Sequence, residues 1–69
     1  MKPKDKATEL IDKFGSKSIE QVEYTLEIWE IKLRHAKKDN CKNGINICLR
    51  TLKYWNNVKF IINAIRTHK

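Results

Sequence analysis

Hydrophobic residues in the stretch VEYTLEIWEIKL, residues 22–33, fit two different periodicities. Val22, Tyr24, Leu26 and Ile28 occupy every second position, which is typical of a half-buried strand. A helix would instead carry a seam with steps of three and four residues, formed by Ile19, Val22, Leu26, Trp29, Leu33 and Ala36. The same spacing puts Glu20, Glu23, Glu27 and Glu30 together, whereas a strand would scatter them over both faces. The pattern therefore favours a helix.

This predicted helix has a second apolar stripe on another side. The stripe consists of Tyr24, Ile28, Ile31 and His35, which are spaced by four, three and four residues. At about 100° per residue, the stripe lies roughly 150° from the seam, and the glutamates fall in the gap between them. A helix with two apolar sides needs two neighbours.

Three helices are predicted, at about 3–14, about 18–38 and about 44–66, with a turn at 39–43. The first carries a single apolar stripe, and Gly15 is suited to end it in a left-handed conformation. Ser18 and Gln21 have the spacing of a capping box for the second helix, and Asn43 is a candidate cap for the third.

The third helix also has two apolar sides. One side consists of Ile45, Cys48, Leu49, Leu52, Trp55 and Ile62, and the other of Ile47, Tyr54, Val58, Ile61 and Ile65. A polar strip separates them and contains Asn46, Arg50, Lys53 and Asn57. Two helices of similar length joined by a short turn form an antiparallel hairpin. We therefore predict one all-α domain, a short N-terminal helix followed by a long antiparallel hairpin.

The apolar area exceeds what a lone hairpin can bury, because the first helix is too short to cover both remaining stripes. Exposed apolar patches of this size usually mark an interaction surface. We expect an oligomer or a complex with a partner protein, with an interface formed by Tyr24, Ile28, Ile31, Tyr54, Val58 and Ile61. Alternatively, the first helix folds across both stripes and the aromatic residues close the gaps.

Charge is distributed unevenly along the 69 residues, whose net charge is +7. Residues 1–15 carry a net +1 and residues 16–31 a net −3, whereas residues 32–69 carry ten Lys or Arg against Asp39, a net +9. A basic segment of this kind attracts polyanions. The candidate polyanion-binding residues are Lys32, Arg34, Lys37, Lys38, Lys42, Asn46, Arg50 and Lys53. The alternative is a solvated face that keeps a small protein soluble.

Catalytic and metal-binding patterns are missing from the sequence. It contains no nucleophile elbow, phosphate-binding glycine loop or H-E-x-x-H motif. The spacing of His35, Cys41, Cys48 and His68 matches no common zinc site. With no membrane-length apolar run, no apolar signal segment and only two cysteines, we expect a non-enzymatic cytoplasmic protein without cofactor or metal.

Two segments carry a resemblance to a known group of proteins. KATELIDKF (residues 6–14) and YWNNVKFIINAI (residues 54–65) resemble the ends of small helical proteins encoded by phages and integrated elements of gut bacteria. Those proteins often begin with K-A-x-E-L-I/V-D-K-F and end with Y-W-x-x-V-K-x-x-I. The resemblance implies a phage accessory protein, active in the host cytoplasm, that binds and blocks a host machine or sequesters a small nucleotide messenger.

Three functional hypotheses follow from these observations. The first is a non-enzymatic accessory protein whose basic surface engages nucleic acid or a host complex that holds it. The second is a homo-oligomeric sponge that traps a phosphorylated nucleotide at subunit interfaces. The third is an adaptor that grips another protein through a spare apolar stripe.

Overall fold

The computed structural model describes residues 2–67, and these residues form helices connected by short turns. Helix α1 spans Pro3–Phe14, a short 3-10 helix spans Gly15–Lys17, α2 spans Ser18–Lys38 and α3 spans Lys42–Thr67. The predictions of an all-α fold and of a helical hairpin are confirmed. The strand periodicity of residues 22–28 is not realised, since this segment lies inside α2.

Helix α1 ends where the glycine allows the backbone to change direction. Gly15 has φ +56° and ψ −124°, a combination that a residue with a Cβ adopts only under strain. Its backbone N–H donates to the carbonyl oxygen of Ile11 and completes the last turn. Pro3 occupies the first turn, where its missing N–H removes a donor that would lack an intrahelical partner.

The expectation of a capping box at the start of α2 is wrong. The 3-10 turn Gly15–Lys17 leads directly into α2, and the backbone N–H of Ser18 donates to the carbonyl oxygen of Gly15. No side chain caps this helix start. Ser18 is instead fully buried, and its hydroxyl has no hydrogen-bond partner within residues 2–67.

The hairpin turn closes with a left-handed residue after α2. Asn40 has φ +54°, a conformation that asparagine tolerates better than most residues. The backbone N–H of Cys41 donates to the Ala36 carbonyl over 3.0 Å, and that of Asn40 donates to the Lys37 carbonyl over 3.2 Å. This pair of bonds is the Schellman pattern, which satisfies the terminal carbonyl groups of α2.

Helix α3 begins two residues earlier than the sequence predicts, and Asn43 lies inside its first turn rather than capping it. The cap is Cys41, whose Sγ accepts the backbone N–H of Gly44 over 3.4 Å. Gly44 lies close to this cap and to the end of α2. A Cβ at this position would lie 3.2 Å from the Cys41 Sγ and 3.4 Å from the Ala36 Cβ.

The core lies at the end of the molecule opposite the hairpin turn. It is formed by Ala7, Leu10, Val22, Leu26, Val58 and Ile62. Partly buried Ile11, Ile19, Leu52, Tyr54, Trp55 and Ile61 pack around it. Helix α1 packs mainly against α3, so three helices meet at this end, while α2 and α3 alone form the turn end. Within residues 2–67, no helix combines the length and the apolar run needed to cross a membrane.

Candidate nucleic-acid interface

The outward face of α3 is polar, basic and free of acidic residues. Asn46, Arg50, Lys53 and Asn57 are all exposed and step by four, three and four residues. They lie roughly 150° around the helix from the buried Cys48, Val58 and Ile62. Helix α3 contains no Asp or Glu over its 26 residues. We call the four residues the α3 strip.

The basic side chains near the end of α2 lie outside the α3 strip and point in several directions. Arg34 and Lys38 line an open depression of about 280 Å³ together with Ile31 and His35. The ammonium group of Lys32 lies 4.3 Å from the ring centroid of Trp29, a distance suited to a cation–π contact. Lys37 and Lys42 are exposed beside the turn. The eight predicted polyanion-binding residues are therefore all on the surface, but they divide between the α3 strip and the turn end instead of forming one face.

Positive charge concentrates at the turn end because the acids lie elsewhere. Residues 32–50 contain six basic residues and one acid, Asp39, hence a net charge of +5. The six are Lys32, Arg34, Lys37, Lys38, Lys42 and Arg50. At the opposite end, Lys59 forms a salt bridge with Glu23 over 3.7 Å, as expected where the acidic start of α2 meets the end of α3. Among the residues described, the six form no salt bridge.

Phe60 extends the α3 strip and was missed in the sequence analysis. Its side chain is 74% exposed, more than any other large hydrophobic residue in the described chain. Together with Lys2, Lys4, Asn57 and neighbouring apolar groups, it lines an open hollow of about 400 Å³. The spacing of the sequence does place Phe60 beside the α3 strip, because position 60 follows Asn57 by three residues and belongs to neither apolar side of the helix.

The predicted interface residues divide between a free face and the interior. Tyr24 is 64% exposed, Ile31 is 41% exposed and Ile28 is half-buried. Val58 is fully buried, so the prediction that it lies at an interface does not hold in this conformation. Tyr54 and Ile61 are half-buried against the core. The physical reason is that α1 packs on this side of α3 and covers the middle of its second apolar stripe, while Ile47 and Ile65 near the two ends stay exposed.

Both tryptophans are half-buried and contact other side chains. Trp55 meets Tyr54 edge-to-face with ring centroids 5.6 Å apart, and the Lys6 ammonium lies 5.9 Å from its ring centroid. Their role is packing, with lysines covering part of the aromatic surface. Phe60 is therefore the aromatic ring of α3 best placed to stack with a ligand.

Metal-ligating side chains do not converge in the part of the chain that the structure describes. No group of three or more His, Cys, Asp or Glu side chains there is arranged to hold an ion. Cys41 is exposed and Cys48 is buried, and both are free thiols. His68, the fourth residue considered for zinc, lies outside the described residues.

Comparison of the chain with protein-family models, with curated proteins and with solved structures finds no match. The resemblance to phage-encoded helical proteins therefore stays a prediction, and so does the function it implies.

Proposed function

We propose that this protein is a non-enzymatic binding protein that engages nucleic acid through α3 and the basic turn end of the hairpin. The observation that carries the proposal is the acid-free α3, with Asn46, Arg50, Lys53 and Asn57 exposed along one face. A phage accessory role in a host cytoplasm is part of the proposal and rests on the sequence resemblance.

The chemistry of the α3 strip suits a nucleic acid better than a simple anion. Arg50 and Lys53 can neutralise phosphates, which releases counterions and favours binding at low salt. Asn46 and Asn57 offer amide donors and acceptors for bases or sugars. Phe60 offers an exposed ring on which an unpaired base can stack, and base–aromatic stacking tolerates any sequence. Single-stranded nucleic acid combines all three of these partner groups.

We also propose that the chain self-associates. The seam of α2 is packed inside the hairpin, but Tyr24 and Ile31 on the second apolar stripe of α2 remain exposed. Helix α1 leaves this stripe free because it packs mainly against α3. The uncovered stripe supports the proposal, since an apolar row of this kind is stabilised by contact with a further helix.

Charge reversal at matched positions tests nucleic-acid binding. Arg50→Glu/Lys53→Glu changes the α3 strip, and Lys13→Glu/Lys17→Glu makes the same change in net charge at exposed positions outside it. Fluorescence anisotropy with a labelled single-stranded oligonucleotide measures the affinity of each variant. We expect the α3 double variant to lose at least about tenfold in affinity and the control to lose no more than about threefold.

Two results would contradict the proposal. Equal losses in both double variants would mean that binding reflects net charge alone. A large thermal stabilisation by a mononucleotide, without measurable oligonucleotide binding, would favour nucleotide sequestration instead.

A further inference from the structure

We propose that α2 pairs with the α2 of a second copy of this chain in antiparallel orientation, through Tyr24, Ile28, Ile31 and His35. This inference rests on the self-association proposed above and is independent of nucleic-acid binding. It adds the face, the direction and the register of the contact.

The second apolar stripe of α2, formed by these four residues and called the α2 stripe below, is the continuous exposed apolar row in the described part of the chain. Its four residues are exposed or half-buried and repeat at steps of four, three and four, the spacing that lets one helix pack along another. The exposed apolar residues of α3 do not form such a row. Ile47 and Ile65 share a side but lie near opposite ends of α3 with the buried Val58 between them, and Leu49 and Phe60 lie on another side, separated by polar positions of the α3 strip.

The depression on α2 has the form of a hole in a coiled coil. Its lining residues are Ile31, Arg34, His35 and Lys38, which are spaced i, i+3, i+4 and i+7. Four residues at this spacing accept one protruding side chain from a facing helix. Tyr24 of a second copy is the matching side chain, because it is the most exposed large hydrophobic residue of the stripe.

One alignment of the two helices gives every residue of the stripe a facing partner, and we call each facing pair a layer. If Tyr24 of one copy enters the hole centred on His35 of the other, then Ile28 faces Ile31 across a two-fold axis. The two outer layers then pair Tyr24 with His35, and the two central layers pair Ile28 with Ile31. In the outer layers the aromatic ring also comes against the cationic groups of Arg34 and Lys38, which adds a cation–π attraction.

The separation of charge along each copy favours the antiparallel direction, because that direction places the acidic start of one α2 beside the basic turn end of the other. Glu27 and Arg34 are both exposed and occupy equivalent positions beside the stripe, seven residues apart. In antiparallel helices such positions face each other, so Glu27 of each copy meets Arg34 of the other. A parallel pair would instead bring together two turn ends whose residues 32–50 each carry a net charge of +5.

Sedimentation equilibrium tests the contact. The stripe contributes few apolar side chains, so we expect a dissociation constant on the order of micromolar for the wild-type dimer. We expect Tyr24→Ala to weaken dimerisation at least about tenfold and Tyr24→Phe to change it less than about threefold, because the phenyl ring retains the protruding shape. Leu49→Ala, on the outward side of α3, is the control and leaves dimerisation unchanged. A wild-type chain that stays monomeric at hundreds of micromolar would overturn self-association altogether.

Disulfide trapping tests the direction. We would introduce Tyr24→Cys and His35→Cys into one chain, with the exposed Cys41 replaced by serine, and apply a mild oxidant. Trypsin cleaves between the two positions, at Lys32 and Arg34, so mass spectrometry can identify each linked pair of peptides. The proposal expects position 24 of one copy linked to position 35 of the other. Links between identical positions would show that the chain dimerises in a different direction and would overturn the register while leaving self-association intact.

Discussion

Two isoleucines one turn apart on α3 allow the location of the core to be measured. Ile62 is 0% exposed and contacts the cluster that joins all three helices, whereas Ile65 is 44% exposed. Replacing either by alanine removes the same three carbon atoms from the same helix and changes intrinsic helix propensity equally. The difference between the two variants therefore reports burial alone.

The expected magnitudes follow from that burial. Three buried methyl or methylene groups at about 0.8 kcal/mol each contribute about 2.4 kcal/mol, and the cavity left behind raises the cost of Ile62→Ala to about 3–4 kcal/mol. At Ile65 roughly half of the transfer energy applies and no closed cavity forms, so we expect about 1 kcal/mol. A core of this size supplies only about 3–5 kcal/mol, so Ile62→Ala should fold with little stability left, whereas Ile65→Ala should remain stably folded.

Urea unfolding followed by circular dichroism measures both variants, at two protein concentrations so that any contribution from self-association is visible. The free energy of unfolding should fall by at least about 2 kcal/mol more for Ile62→Ala than for Ile65→Ala. Equal losses would refute the reasoning, because they would mean that α1 does not bury this end of α3.

Three further substitutions test separate parts of the account. Ser18→Ala should leave the free energy of unfolding unchanged or raise it by up to about 1 kcal/mol, because it removes a buried hydroxyl without a partner; a loss of about 1 kcal/mol would support a capping role instead. Asn40→Gly should preserve or slightly raise the thermal midpoint of unfolding. Asn40→Ala should lower this midpoint by about 4–8 °C, because alanine costs about 1 kcal/mol more in the left-handed region. Similar midpoints for the two variants would contradict the left-handed conformation of Asn40 in the turn. Phe60→Ala should weaken binding of a single-stranded oligonucleotide roughly 5- to 100-fold and leave the helical circular dichroism signal unchanged; unaltered affinity would remove Phe60 from the site.

The helices themselves were predictable because apolar periodicity dominates this sequence. The seam of α2 is buried or half-buried at all six of its positions, from Ile19 to Ala36. Gly15 takes the positive φ expected of a helix end. Both features depend on residues close together in the chain, which a one-dimensional pattern records well.

Features that depend on how the helices pack were harder to predict. The sequence shows two apolar sides on α3 but not which of them α1 covers, so Val58 was assigned to an interface and is in fact buried. The helix starts also differ from expectation. Cys41 caps α3 in place of Asn43, and Ser18 is buried because the chain continues through a 3-10 turn.

The candidate site was predictable in composition more than in shape. Each of the eight predicted basic and amide residues is exposed, because a charged or amide side chain between two apolar stripes has few ways to be buried. Their division between the α3 strip and the turn end depends on where α2 and α3 cross, which no local pattern specifies. Phe60 is not among these residues, because a pattern of basic and amide side chains does not include an aromatic ring.

The central claim, that α3 and the basic turn end bind nucleic acid through phosphate contacts, is tested most directly by the salt dependence of binding to a single-stranded oligonucleotide. If about four basic side chains each neutralise a phosphate, the affinity should fall roughly 50-fold when the salt concentration rises fourfold, for example from about 50 to about 200 mM. An affinity that changes less than about twofold over that range would contradict the claim, because binding would then not depend on phosphate neutralisation.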